Sequence, residues 1–362
     1  MKLVFIYLCC MNIMQDKSLN TTKVDVLGEF GLIDHLTHDI KIKNKNTICG
    51  VGDDAAVIKA GAKQLLLSTD MLVEGVHFDL AYVPLKHLGY KSIAVNVSDI
   101  CAMNGNANQV TVSLAVSSRF SVEAIEELYS GIKLACSKYD IDLVGGDTTS
   151  STTGLVISVS VVGEVDRKKI TYRKGAKIND LVVCTGDLGA AYLGLQILNR
   201  ENKIFKENPR IQPDLTGHDY ILQRQLRPEP PVKYIEILNE MNVIPTSMID
   251  ISDGLSSEAL HLSKSSSCGI TIHENKIPID YTVMNLAQEF NLNPIVCALS
   301  GGEEYELLFT VGQKHYDKLK KDPDFTIIGY VNDKSEGNRL IASDGTVHEL
   351  VAQGWNSVNI KK

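Results

Sequence analysis

The 362-residue chain sets 36 Lys and Arg against 44 Asp and Glu, a net charge of −8, and is 44% hydrophobic and 22% charged. This is globular composition, long enough for two domains, and it excludes a nucleic-acid binder working through a basic stripe. The one Lys-rich stretch, "KHYDKLKKD", is short and mixed in sign. The 8 cysteines form no C-x-x-C pair and no metal-like spacing with the 9 histidines, which argues against a disulfide framework or a zinc site and fits small core residues in a reducing compartment. No segment reaches the roughly 20 apolar residues that span a bilayer, so a soluble cytoplasmic protein with no membrane partner is expected. An acidic chain also takes an anionic substrate only if cations come with it.

The first ten residues, "MKLVFIYLCC", are one lysine and an apolar run, as in a signal peptide, but the run is short and no small-residue cleavage site follows; with Met11 and Met14 close behind, an over-extended start is at least as good a reading. "VLGEFGLIDHLTHDI" (26–40) has apolar residues at helical spacing, "QLLLSTD" (64–70) reads as a strand, and "LKHLGYKSIAVNVSDICAMN" (85–104) as a helix. "QVTVSLAV" (109–116) alternates as a half-buried strand, and Ser121 caps the amphipathic helix that follows. "IDLVGGDTTS" reads as a strand ending in a polar turn, "GLVISVSVVGEV" as another strand, and the basic stretch 165–181 as a connection. The second half predicts strand "LVVCTG", helix "AAYLGLQIL", a polar stretch to about 216, helix "VKYIEILNEM" and "SMIDISDGL". A helix from about 255, strand-like "GITIHE", a helix at 281–290 and strands "YELLFTV" and "FTIIGYV" complete it. Alternating α and β in both halves predicts two mixed α/β (α+β) domains, 26–165 and 166–362, after an unmatched extension 1–25.

Five short acidic motifs stand out: "GDD" (52–54), "STD" (68–70), "VSD" (97–99), "GGD" (145–147) and "DISD" (250–253). Each sets Asp beside Gly, Ser or Thr next to an apolar stretch, as at strand ends or helix starts where loops build sites. One such motif is ordinary turn chemistry, but several converging carboxylates cannot all stay ionised without cations. Mg²⁺ is the natural partner, since it takes carboxylates together with phosphate oxygens. There is no G-x-x-x-x-G-K-[ST] loop, so any phosphate site would rest on Asp-held Mg²⁺ rather than a lysine-rich cradle.

"GVGDDAAVI", "LSTDMLVEGVHF", "NVSDICAM", "LVGGDTT", "YRKGAK", "QLRPEPP", "IDISDGL" and "LSGGEEYELLFT" occur in that order. Together they resemble the thiamine-monophosphate kinase family, in the superfamily of aminoimidazole ribonucleotide and selenophosphate synthetases, over roughly residues 27 to 358. The resemblance implies ATP-dependent phosphorylation of thiamine monophosphate to thiamine diphosphate, and two α/β domains whose N-terminal sheets pair in a homodimer. It implies that Asp54, Ser68, Thr69, Asp70, Asp99, Asp147, Asp250 and Asp253 hold several Mg²⁺ ions. It further implies that Ser68, Gly146, Asp147, Arg173 and Ser252 serve ATP, and that His77, Glu303 and Trp355 serve the thiamine phosphate. Asp54, Asp70, Asp99, Asp147, Asp250 and Arg173 are then the catalytic set, and Asp53 braces the loop that carries Asp54. Glu304 stands where family members often have Asp.

The chemistry is consistent with those roles. A phosphate-monoester acceptor needs no proton removed, so clamping two anions in line matters more than a general base, and a phospho-enzyme is not expected. The thiazolium cation suits an aromatic face and a carboxylate. Two other readings compete: a superfamily synthetase acting on another substrate, and a non-catalytic nucleotide or metal sensor. A selenophosphate synthetase would carry a reactive Cys beside a Lys in a glycine-rich loop, and Cys49 before "GVGDD" does not fit that.

Overall fold

A computed structural model describes residues 31, 33–39 and 42–352. Residues 33–37 are helical, in agreement with the opening helix; residues 26–30 lie outside the described residues. The described residues from Ile42 onward group as one compact unit.

The first sheet has the order β1-β2-β3-β6-β4-β5. Its strands are β1 (Thr47–Cys49), β2 (Ala56–Ala60), β3 (Lys63–Val73), β4 (Asn106–Val116), β5 (Asp142–Ser150) and β6 (Leu155–Asp166). Neighbours are antiparallel except β4 and β5, whose parallel pairing requires a crossover, supplied by the helix Val122–Lys138. Ser121 caps that helix by accepting the Ala124 amide. The polar turn expected after "IDLV" is instead strand: β5 pairs with β4 as far as Ser150. An edge strand exposed throughout needs no apolar alternation, so its polar letters resemble a turn.

The second sheet has the order β13-β12-β9-β11-β7-β10-β8. Its strands are β7 (Leu181–Thr185), β8 (Ser247–Asp250), β9 (Gly269–His273), β10 (Leu307–Val311), β11 (Phe325–Asn332), β12 (Arg339–Ile341) and β13 (Val347–Glu349). β10 is buried on both faces: Leu307, Phe309 and Val311 enter a core shared with the first sheet, whereas Leu308 enters a separate one with Ile251 and Ile270. The connection 167–180 is irregular, as expected, and the short helices Asp219–Leu226 and Pro294–Ser300 were not anticipated.

The helix Leu85–Ala102 lies against β3, β6 and β4 on one side and the 122–138 helix on another. Fourteen of its 18 residues are buried. Such a helix has no solvent stripe, so its weak amphipathicity follows from burial all round. It approaches the 122–138 helix through two glycines. A Cβ on Gly89 would lie 2.0 Å from the Leu128 carbonyl oxygen, and one on Gly131 would lie 1.8 Å from that of Lys86. Backbone atoms cannot rotate away, so Gly131→Ala is expected to cost about 2–3 kcal/mol in urea unfolding. Wild-type stability in that variant would contradict this crossing.

Candidate active site

The site residues belong to five different elements that meet at the 85–102 helix. Asp54 lies in the loop before β2, and Asp250 ends β8. Asp99 lies within the helix and Asp70 within β3, so these two depart from the expectation that acids sit at element ends. Alternation explains Asp70: Ser68 and Asp70 share the face of β3 that the helix covers.

One carboxylate oxygen from each of Asp54, Asp99 and Asp250 comes within 4.8 Å of the other two. The helix fastens this group. Ser68 Oγ donates to Asp99 Oδ2, Ser98 Oγ donates to Asp250 Oδ2 at 2.6 Å, and the Asp70 amide donates to Asn96 Oδ1 at 3.2 Å. Arg173 supplies the nearest positive charge, in a two-pronged pair: Nε reaches Asp54 Oδ2 at 3.0 Å and Nη2 reaches Oδ1 at 2.7 Å. Asp53 takes the Arg173 amide at 3.1 Å, and so braces the connection against the Asp54 loop as expected.

One guanidinium does not balance four carboxylates. Burial pushes the Asp70 carboxyl up to about 6. Burial, with the charge of Asp54 beside it, pushes Asp250 up to about 7 against the opposing pull of Ser98 and Arg173. Asp99 is raised well above the ordinary range by burial and then by Asp70, Asp250 and Asp54. Oxygen-only donors, anionic and crowded, fit a hard divalent cation such as Mg²⁺.

Ser252 and Asp253 follow Asp250 in a loop. Glu258, buried on the helix Leu255–Ser266 and absent from the sequence expectations, accepts the Asp253 amide at 2.9 Å. The Ser252 carbonyl accepts the Glu303 amide at 2.7 Å, so the loop after Asp250 and the segment that carries Glu303 are hydrogen-bonded neighbours. Glu303 meets two residues to which sequence reading assigned no role, Lys91 and the Gln225 that opens "QLRPEPP". Lys91 Nζ lies 2.7 Å from Oε1, and Gln225 Nε2 donates to Oε2 at 2.7 Å. His77, Lys91 and Gln225 line one cavity of about 20 Å³, room for a single water. His77 Nδ1 accepts the Val73 amide at 3.0 Å, which leaves Nε2 to carry the ring proton. Gly302 allows the two backbones to approach: a Cβ there would lie 2.5 Å from the Ser252 carbonyl oxygen.

Two expected groups stand apart. The Thr69 hydroxyl points to the opposite face of β3, where it bonds the Val159 carbonyl at 2.9 Å and Ser160 at 3.0 Å. Asp147 lies on β5 opposite Ser113, which pairs with Ser158, which pairs with Met71. That row is on the same outer face as Thr69, and Asp147 is three strands from β3, roughly 14 Å. Gly146 precedes it on the same exposed edge strand. Within one chain, these residues do not join the cluster. Trp355 lies outside the described residues.

Carboxyls raised to about 6 and about 7 in the folded chain bind protons that the unfolded chain, with Asp near 3.9, has already released. Their contribution therefore favours folding below about pH 4 and is lost as pH rises through 7. Mg²⁺ is expected to raise the melting temperature of metal-free protein more at pH 8 than at pH 5. An equal rise at both pH values in a thermal-shift series would contradict this.

Residues 52–165 match the family described as AIR synthase related protein, N-terminal domain. The chain is 35% identical to the thiamine-monophosphate kinase of Bacillus subtilis (strain 168), over 91% of this chain and 99% of that protein. It is 38% identical to that of Buchnera aphidicola subsp. Schizaphis graminum, over 87% and 94%. A solved structure described as AaThiL complexed with AMPPCP and TMP superimposes with a TM-score of 0.79 at 33% identity, covering 93% of this chain and 99% of that one. Full-length similarity at this level, on a fold that gathers the expected acids, means that the chain belongs to the thiamine-monophosphate kinase family.

Proposed function

We propose that the chain transfers the γ-phosphoryl group of ATP to thiamine monophosphate, yielding thiamine diphosphate and ADP, and that Mg²⁺ assists. The observation that carries this reading is the crowded, under-neutralised group of Asp54, Asp99 and Asp250, in a chain 33% identical to a protein described as complexed with AMPPCP and TMP. Asp54, Asp70, Asp99 and Asp250, with Ser68 and Asp253 beside them, would hold the ions. When bound, Mg²⁺ supplies positive charge that lets two phosphate groups approach.

The chain's own groups do the positioning. Arg173, fixed by Asp53 and Asp54, faces the region where charge spreads over the transferred group. An oxygen of the acceptor phosphate forms the new bond to the γ-phosphorus as the bond to the β,γ-bridging oxygen breaks, and the electron pair leaves with ADP. The acceptor is already an anion, so no side chain needs to take a proton, and transfer is direct. Ser252 serves the nucleotide, and Glu303 and His77 hold the thiamine end. Trp355 belongs to the same reading through the family motif alone. The described cysteines are all free, which favours a reducing, cytoplasmic setting.

We also infer a homodimer. Leu67 and Met71 are 40% and 55% exposed on the outer face of the first sheet, beside Ile58, Leu65 and Val162. An uncovered apolar sheet face calls for a partner, and a second copy of that face is its natural complement. Asp147 and Gly146 lie on this face or its edge, so their part in the site would be played at the seam between two copies.

Purified protein with ATP, Mg²⁺ and thiamine monophosphate is expected to form thiamine diphosphate and ADP in equal amounts, read by chromatography. Asp70→Asn should cut this turnover on the order of 10²-fold or more. Because its carboxyl is raised to about 6 by burial, the same change should stabilise the metal-free protein at pH 8, by roughly 1–2 kcal/mol. ADP formation without thiamine diphosphate would overturn the substrate assignment. Leu67→Glu should shift the protein from dimer to monomer in analytical ultracentrifugation; a monomeric wild type would refute the dimer.

A further inference from the structure

The segment "GGEEYE" (301–306) alternates two kinds of residue. Glu303 and Tyr305 both adopt left-handed backbone, φ 65° and 54°, which non-glycine residues avoid. Glu304 and Glu306, in alternation with them, turn inward and are buried. Both inward carboxylates converge on one cation. Arg224 Nη2 donates to Glu304 Oε2 and Nη1 to Glu306 Oε1, each at 2.8 Å. Nη2 also bonds the Asp187 carbonyl at 2.9 Å. The remaining oxygens are engaged too. Glu304 Oε1 accepts the Gly189 and Ala191 amides at the start of the helix Ala190–Glu207, and Glu306 Oε2 accepts the Thr185 hydroxyl at 2.6 Å. The next residue of the same short helix, Gln225, is the one that donates to Glu303.

We propose that Arg224 and Gln225 form a two-residue clamp that holds the strained Glu303 in position for the thiamine end of the acceptor. Arg224 is a positioning residue acting through Glu304 and Glu306, and Gln225 orients the Glu303 carboxylate directly. The buried ion cluster supplies the restraint that keeps two left-handed residues in place, because a relaxed segment would withdraw Glu303 from Lys91 and Gln225 together. Glu304 thus reaches both Arg224 and the two helix amides. The inference rests on the reading of Glu303 as an acceptor-site residue.

Steady-state kinetics with each substrate varied in turn test it. Gln225→Leu leaves the ion cluster intact and is expected to raise KM for thiamine monophosphate about tenfold or more, with KM for ATP within about twofold of wild type. Arg224→Ala should show the same selective rise, and added guanidinium should partly restore it. Equal rises in both KM values, no rise in Gln225→Leu, or a loss in Arg224→Ala that guanidinium leaves untouched would overturn the clamp. Wild-type protein that leaves thiamine monophosphate unphosphorylated would overturn the kinase reading beneath it.

Discussion

Charge without compensation governs this molecule. Four carboxylates are brought into one region with a single guanidinium among them, and burial, joined for Asp99 and Asp250 by the neighbouring carboxylates, raises three of them. Such an arrangement costs stability unless a cation or protons enter, so the fold holds a binding site at the expense of its own energy. The 85–102 helix makes it possible. Because it is buried on nearly every side, its polar residues have no water to turn to and each must find a partner inside. Asn96, Ser98 and Asp99 find theirs in β3 and β8, and Lys91 finds Glu303. The same helix therefore sets the distance between the carboxylates of Asp99 and Asp250 and that of Glu303.

A second connection joins the site from the other direction. The backbone link from Ser252 to Glu303 and that from Ile251 to Tyr305 splice the "DISD" loop to the strained segment ahead of β10. Strain at 303 and 305 persists because buried ion pairs over-determine it, and such strain concentrates at functional sites.

Much of this was legible in the sequence. The long strands and the 85–102 and 122–138 helices follow from periodicity, and the acidic motifs marked the site because so many Asp beside small residues have no structural use. What the sequence hid has physical reasons. Thr69 sits between two site residues but faces the other way, since a strand alternates. Asp147 belongs to an edge strand whose polar letters resemble a turn, and its side of the sheet depends on a long-range register. The 219–226 helix is only 8 residues long and was read past, so Arg224 went unnoticed and Gln225 entered only as the first letter of "QLRPEPP", although both hold the segment around Glu303. Lys91 had no local signal at all: its role comes from Glu303, over two hundred residues away. Contacts at such separations are set by tertiary packing, which no window of sequence contains.

The central claim is that Asp54, Asp99 and Asp250 form a cation site for the phosphates. Its most direct test is anomalous X-ray scattering from crystals grown with Mn²⁺ and a non-hydrolysable ATP analogue. The account predicts anomalous peaks between these three carboxylates and the nucleotide phosphates, lost for at least one ion in Asp99→Asn. Ordered nucleotide with no peak among the three carboxylates would contradict it.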